Sequence, residues 1–193
     1  MNKKINVSKY IWNSIFVVIV LVLLFVPPAK AYVIQGLMQM GLFKPQVTEL
    51  NAQKPADLSG IKFKDAEGNI TDLGDLKGKV IFLNFWATWC PPCQAEMPSV
   101  EKLYQQFSKD KNVVFLFVDA DGNFEKSKKF MDRKKYNLPV YAIGGYIPEG
   151  IFKGALPTTV VFDKMARISY RGEGAANYSD KKFLDFMQKL SDM

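Results

Sequence analysis

Apolar and polar positions alternate or cluster along residues 60–120 in ways that predict individual elements. The segment FKDAEGNITDL (63–73) predicts two short strands around a turn at Glu67-Gly68-Asn69, because Gly and Asn suit left-handed turn positions. KVIFLNFWA (79–87) and NVVFLFVDA (112–120) are almost continuously apolar, as is typical of buried strands covered on both faces. The first of these two is predicted to be a central strand.

A helix is predicted between these two strands, starting at about Pro91. The apolar residues that recur there at helical spacing are Met97, Val100, Leu103, Tyr104 and Phe107. The strand, helix, strand order predicts a right-handed βαβ unit. Its first strand-to-helix turn contains Cys90 and Cys93, the only cysteines of the chain.

The remainder of the chain predicts a Lys-rich helix over 124–136, a loop containing AIGGYIPEG (142–150), and a hairpin of TTVVFD (158–163) with RISYR (167–171). A closing helix over 180–190 is predicted to bury Phe183, Leu184, Phe186, Met187 and Leu190. The predicted fold class is therefore α/β, a central mixed sheet with helices on both faces.

The N-terminal segment is strongly apolar and follows three lysines within the first nine residues, so the positive-inside rule predicts export of the domain into an oxidising compartment. Residues 15–26 have the length of a signal-peptide core, and Ala29-Lys30-Ala31 fits cleavage after Ala31, which would release a soluble periplasmic protein. Counted from Tyr10, the run also reaches the length of a membrane span. We favour a single retained anchor in the cell membrane, with the domain facing the periplasm or exterior.

The next residues predict an amphipathic helix that continues the anchor or lies along a membrane or domain surface. Its apolar face carries Val33, Ile34, Leu37, Met38 and Leu42. The polar stretch that follows predicts a tether that lets the domain reach away from the membrane. The predicted organisation is a signal or anchor segment over 1–43, a linker over 44–59 and one domain over 60–193.

Composition removes several classes of function. The net charge of +7 arises mostly from lysines scattered on predicted solvent faces, which favours a solvated surface over a nucleic-acid-binding patch. The chain has no histidine, which excludes Ser-His and Cys-His catalysis, haem ligation through His, and the usual zinc and copper sites.

The two cysteines have three competing interpretations besides redox exchange. A structural disulfide across two residues closes so small a loop that it removes little unfolded-state entropy. A zinc site needs two further Cys or His ligands, so only a site bridging two copies remains. A peroxidatic cysteine is disfavoured, because Ala87 and Cys90 occupy the hydroxyl positions of the Pro-x-x-x-Thr/Ser-x-x-Cys pattern.

Thiol-disulfide exchange fits the position of the cysteines. Cys90 lies at a helix N-terminus, where free N–H groups and the helix dipole stabilise a thiolate, and Cys93 follows underneath in the next turn. Pro91 and Pro92 suit a helix start but donate no N–H to the sulfur. A less stabilised thiolate predicts a more reducing couple.

The motif FWATWCPPCQAEMP resembles the thioredoxin superfamily, specifically its exported TlpA/ResA-like thiol-disulfide oxidoreductases, which are relatives of the cytochrome c maturation thioredoxins. The resemblance covers about residues 60–190, with an N-terminal β-hairpin and an inserted helix. Trp89 precedes the first Cys as in the family, and Pro98 occupies the family's helix kink. In GALPTTVVFD, Pro157 matches the family's cis-proline beside the disulfide, the alternative being an ordinary trans proline at a strand start.

The resemblance also implies residue roles. Leu156 would offer its backbone to an extended substrate, with Trp89, Pro91 and Pro157 completing the substrate-binding surface. A glycine turn near Gly174 resembles the one that lines the family's groove.

One departure from thioredoxin concerns proton transfer. Asn84 replaces thioredoxin's buried aspartate, and Glu96 matches a glutamate of TlpA/ResA-like proteins that would manage the proton on Cys93. The alternative for Glu96 is a first-turn residue that complements the helix dipole.

The function implied is reduction of disulfides in partner proteins. Cys90 attacks, Cys93 resolves, and a membrane thiol transporter supplies electrons; no cofactor or metal is implied, and no nucleic-acid partner. Two alternatives stay open, a thiol-dependent peroxidase of the AhpC/TSA class and a non-enzymatic module that binds peptides or copper.

Overall fold

The computed structural model describes residues 7–46 and 54–193. The predictions made for the first lysines and for the middle of the linker lie outside these ranges. The helices are α1 (Val7–Phe25), α2 (Pro27–Gln39), α3 (Pro91–Phe107), α4 (Phe124–Lys134) and α5 (Lys181–Asp192), with a 3₁₀ helix at Leu73–Leu76. The strands are β1 (Lys62–Lys64), β2 (Ile70–Asp72), β3 (Val80–Trp86), β4 (Val113–Asp119), β5 (Val140–Ile143), β6 (Thr158–Phe162) and β7 (Ile168–Glu173).

The seven strands form one mixed sheet in the order β2-β1-β5-β4-β3-β6-β7. β4 pairs in parallel with β3 and with β5, whereas the other pairs are antiparallel. Every residue of β3 is buried, as its continuous apolar pattern predicts. The mixed α/β fold, both hairpins and the βαβ unit are confirmed.

The two faces of the sheet are covered differently, and the prediction of α-helices on both faces was wrong for the described residues. Val80, Phe82 and Trp86 of β3 join a core cluster with residues of α3, α4 and α5. The alternate residues of β3 pack into a second cluster with the 3₁₀ helix and irregular segments, and among the described residues this cluster contains no α-helical residue. The reason is that the crossovers β3-α3-β4 and β4-α4-β5 run in the same direction across the sheet, so right-handed crossovers place α3 and α4 on the same face.

The prediction of a loop through 142–150 was wrong at its start, because Ala142 and Ile143 belong to β5. This strand is four residues long. It is held by remote partners, since Ala142 pairs with Asp119 of β4 and Ile143 with Phe63 of β1. The residues of β5 by themselves therefore gave little indication of a strand.

The boundaries of the last helices differ slightly from the predicted ones. α4 ends at Lys134, because Lys135 adopts a left-handed conformation with φ of 58°. In α5, Phe183, Met187 and Leu190 are buried, whereas Leu184 and Phe186 are only partly buried.

The N-terminal helices meet at an angle of 95°. The apolar side chains of α1 are mostly exposed, whereas α2 packs against α3. No single helix among the described residues is long and apolar enough to cross a membrane; Lys9–Phe25 and Ala29–Gln39 meet that requirement only as a pair.

Candidate active site

The cysteines lie at the turn that leads from β3 into α3. Cys90 is the N-cap of α3, and its Sγ accepts a hydrogen bond of 3.3 Å from the backbone N–H of Cys93. Pro91 and Pro92 fill the first helical positions and have no N–H to donate. Cys90 and Cys93 are joined in a disulfide. The first turn of α3 therefore directs one backbone donor, that of Cys93, at the Cys90 sulfur.

Both cysteines are shielded in this oxidised state. Cys90 keeps an exposed fraction of 3%, and Cys93 has 0%. The exposed fractions of the two cysteines differ less than they would if Cys90 were openly exposed. Cys90 is nevertheless the more accessible of the two, which agrees with its role as the sulfur that a partner reaches first. Pro91 and Pro92, which flank it, are half-buried.

Trp89 and Trp86 are separated into different environments. Trp86 is fully buried in the core against Phe130, whereas Trp89 is 60% exposed beside the disulfide. The indole Nε1–H of Trp89 donates to Asp121 Oδ2 at 2.6 Å, which ties this ring to the loop after β4. Trp89 therefore presents a positioned aromatic surface next to Cys90.

The Leu156–Pro157 peptide bond is cis, as expected from the GALPTT motif. Pro157 is buried at the start of β6, and its carbonyl accepts a hydrogen bond of 2.8 Å from the N–H of Gly174. Gly174 has φ of 86°, a left-handed value that favours glycine. The predicted glycine turn therefore lies directly beside the cis-proline. The roles of Leu156 and Pro157 in substrate binding stay predictions.

Glu96 is fully buried in α3, one turn beyond Cys93. Its Oε1 accepts from Asn84 Nδ2 at 2.9 Å, and its Oε2 accepts from the N–H of Ala176 at 3.3 Å. Burial raises the pKa of Glu96 to about 8, and the two hydrogen bonds oppose that shift only in part. A carboxyl group with such a pKa can hold or release a proton near neutral pH, which a solvated first-turn glutamate cannot do.

Asn84 connects this carboxyl group to the strand that follows the cis-proline. Its Nδ2 also donates to Thr159 Oγ1 at 2.8 Å, and Asn84 and Thr159 are register partners in β3 and β6. Asn84 Oδ1 is buried and has no partner among the described residues. Sequence reasoning missed Thr159 and Ala176, because both reach Glu96 or Asn84 only through contacts between elements remote in sequence.

Ser99 lies about one turn after Glu96 on the same face of α3, and sequence reasoning missed it too. Its buried Oγ donates to the Glu96 carbonyl at 2.7 Å and accepts from the N–H of Tyr178 at 3.1 Å. The hydroxyl therefore holds the segment that contains Ala176 against α3. This contact helps to seal Glu96 from solvent.

We expect Ser99→Ala to lower the free energy of unfolding by about 1–3 kcal/mol, because the buried N–H of Tyr178 loses its acceptor. Chemical denaturation measures this change. Ser108→Ala, at the exposed C-cap of the same helix, is the matched control and should leave stability unchanged within about 0.5 kcal/mol. Equal losses in the two variants would contradict the sealing role of Ser99.

Comparison with known proteins places these features in a family. Residues 45–185 match the Redoxin family model. The chain belongs to the Redoxin family. This match includes both cysteines, Glu96 and the cis-proline.

Within the family, the chain is similar to thiol-disulfide oxidoreductases named ResA. It is 40% identical to ResA of Bacillus thuringiensis strain Al Hakam over 105 residues, which cover 54% of this chain and 60% of the relative. It is 35% identical to ResA of Bacillus thuringiensis subsp. konkukian strain 97-27 over 129 residues, covering 66% and 72%. The TlpA/ResA-like resemblance is confirmed, and the matched stretch spans less than two thirds of the first relative.

Solved structures support the fold. StoA from Bacillus subtilis superposes with a TM-score of 0.55 at 22% identity, covering 68% of this chain and 99% of that one. The thioredoxin domain of a thiol-disulfide oxidoreductase from Bacteroides vulgatus superposes with a TM-score of 0.57 at 23% identity, covering 71% and 96%.

Proposed function

We propose that this Redoxin-family protein reduces disulfides of partner proteins through the Cys90–Cys93 pair. The observation that carries the proposal is the disulfide at the N-terminus of α3, with Cys90 as the N-cap of that helix. The names and identities of the ResA relatives support the same chemistry. The proposed substrates are therefore protein disulfides rather than peroxides.

The reaction balances as two thiol-disulfide exchanges. In the reduced protein, the Cys90 thiolate attacks one sulfur of a partner disulfide, and the other partner sulfur leaves as a thiol after taking up a proton. The Cys93 thiolate then attacks Cys90 Sγ, forming the internal disulfide and releasing the second partner thiol. Two electrons pass from the protein to the partner.

Glu96 is proposed to manage the proton on Cys93. Cys93 and Glu96 lie three residues apart on α3, hence on neighbouring positions of one helix face, and both are fully buried. Solvent water has little access to the Cys93 thiol there, so an internal group must accept its proton. The pKa of about 8, raised by burial, suits Glu96 to that exchange near neutral pH.

The substrate-binding surface is proposed to comprise Trp89, Pro91, Leu156 and Pro157. Trp89 is exposed and positioned by Asp121, and Pro91 is partly exposed beside Cys90. An extended partner segment placed along Leu156 and Pro157 would bring its disulfide towards the sulfur of Cys90.

The proposed location is outside the cytoplasm, at the cell membrane. The lysines that precede the apolar run support export, and the exposed apolar side chains of α1 support retention of the segment in lipid. The organisation proposed is a membrane segment over 1–43, a linker over 44–59 and the redox domain over 60–193. Because α2 packs against α3, the linker does not act as a free tether between membrane segment and domain. A membrane thiol transporter would then supply the electrons, and apocytochrome c is one class of exported thiol protein that such a reductase could serve.

We expect the reduction potential of the Cys90–Cys93 couple to lie nearer that of thioredoxin (~-270 mV) than that of the oxidant DsbA (~-120 mV). The physical reason is the single backbone donor to Cys90 Sγ, since Pro91 and Pro92 provide none. Redox titration of the full chain against glutathione measures the potential. A value close to that of DsbA would make the protein a donor of disulfides and refute its assignment as a reductase.

A further inference from the structure

α2 has two apolar sides, and one of them packs against the rest of the domain. Ala31 and Met38 are buried against Ala95 of α3, with Ile34 and Ala175 packed around them. Ala95 follows Cys93 by two residues, so α2 covers the helix that carries the disulfide. This contact covers one side of α2.

The opposite side of α2 is apolar and exposed, so the prediction of a single apolar face that carries both Val33 and Met38 was wrong. Because an α-helix has 3.6 residues per turn, Val33 and Met40 project away from Ala31 and Met38. Val33 is 47% exposed and Met40 is 80% exposed. The exposed large residues on and just beyond this side are Tyr32, Val33, Met40, Leu42 and Phe43.

The ends of α2 are also tied to the domain. Near the start of the helix, Lys134 Nζ of α4 lies 5.3 Å from the centre of the Tyr32 ring. Just after the helix, the Phe43 carbonyl accepts from Asn177 N–H at 3.0 Å, and Lys44 Nζ lies 3.7 Å from Asp180 Oδ2. α2 is therefore part of the domain surface, and its exposed side moves with the domain.

We propose that the exposed side of α2 lies on the membrane surface, so that α2 is held between the lipid and α3. This proposal rests on the proposed membrane attachment. Its support is continuity with α1, whose exposed apolar side chains run from Tyr10 to Val26 and end where α2 begins. A helix that enters the bilayer and a second helix bent away from it by 95° fit an inserted segment followed by one that lies in the interface.

The consequence concerns the partners of the redox site. α3 lies about one helix diameter, ~10 Å, from the lipid surface when α2 lies between them. The disulfide at the N-terminus of α3 then stays near the membrane at a set orientation instead of moving on a free tether. The site is thereby suited to partners whose cysteines lie close to the membrane surface.

Photo-crosslinking of the full chain in lipid nanodiscs tests this placement. The photoreactive residue p-benzoylphenylalanine replaces Val33 or Met40 on the exposed side of α2, Phe16 on α1, or Tyr146. Tyr146 is the matched control, because it is 78% exposed next to Ile147, which packs in the second core cluster on the other face of the sheet. The discs contain phosphatidylethanolamine and phosphatidylglycerol, and mass spectrometry counts lipid adducts.

We expect positions 33 and 40 to give lipid adducts at a yield about tenfold or more above position 146, since an interfacial helix buries its apolar face in the headgroup region. Adducts at position 16 but not at 33 or 40 would overturn the placement of α2 while leaving membrane attachment intact. Adducts at none of these positions would overturn both. Crosslinks from 33 or 40 to a second copy of the chain would show that a protein covers this face, and would also overturn the proposal.

Discussion

The variant Cys93→Ser is expected to accumulate mixed disulfides with partner proteins, and Cys90→Ser is expected to form none. Cys90 retains a small exposed fraction whereas Cys93 is fully buried, so a partner disulfide reaches Cys90 first. Without the Cys93 sulfur, nothing within the protein releases the adduct. Non-reducing electrophoresis of cells that express each full-length variant, followed by mass spectrometry of the shifted bands, measures the outcome.

The double variant, with serine at both positions, is the control for background adducts, because the chain has no other cysteine. Catalytic turnover with a protein disulfide should fall to background in all three variants. Equal trapping by the two single variants would show that the assigned roles are wrong. Trapping through Cys93 alone would reverse them.

The second large effect concerns Glu96 and pH. We expect the oxidised protein to lose stability as pH rises from about 4.5 to about 8, by about 5 kcal/mol in total from this one group. In the unfolded chain Glu96 releases its proton above its ordinary pKa of 4.5, whereas burial raises its folded-state pKa to about 8. Between these two pH values the folded state binds more protons than the unfolded state, so the free energy of unfolding falls as pH rises. The stabilisation from Glu96 is therefore complete below about pH 4.5 and is lost by about pH 8.

Denaturation of the full chain by guanidinium in detergent, at a series of pH values, measures this decline. Glu96→Gln is the matched variant, because an amide keeps the shape of the side chain and does not titrate. A wild-type decline that persists unchanged in Glu96→Gln would refute the assignment of the titration to Glu96.

The same variant separates a proton-transfer role from a structural one. Glu96→Gln should slow reduction of a model disulfide near pH 7 by about 100-fold, because the amide cannot exchange the proton of Cys93. The pH dependence of the rate should also flatten around the pKa of Glu96. An unchanged pH-rate profile would leave Glu96 with a purely structural role.

Features that depend on neighbouring residues could be predicted from the sequence. The continuous apolar run of β3, the helical spacing after Pro91 and the cysteines between them placed the redox pair at a strand-to-helix turn, as the structure has it. Pro157 and Glu96 were predicted from the resemblance to TlpA/ResA-like proteins, because both lie in short motifs that match that family. Local patterns failed for β5, whose hydrogen-bonding partners lie in β1 and β4.

By itself, then, the sequence determined the fold class, the redox cysteines and the apolar N-terminal segment, since each follows from the order and spacing of nearby residues. The tertiary structure alone decided the environment of Glu96. Burial raises its pKa, and its hydrogen bonds come from Asn84 and Ala176, which are 12 and 80 residues away along the chain. It also decided that α2 packs on α3 and leaves its second apolar side exposed, because the burial of a side chain depends on which elements pack against it.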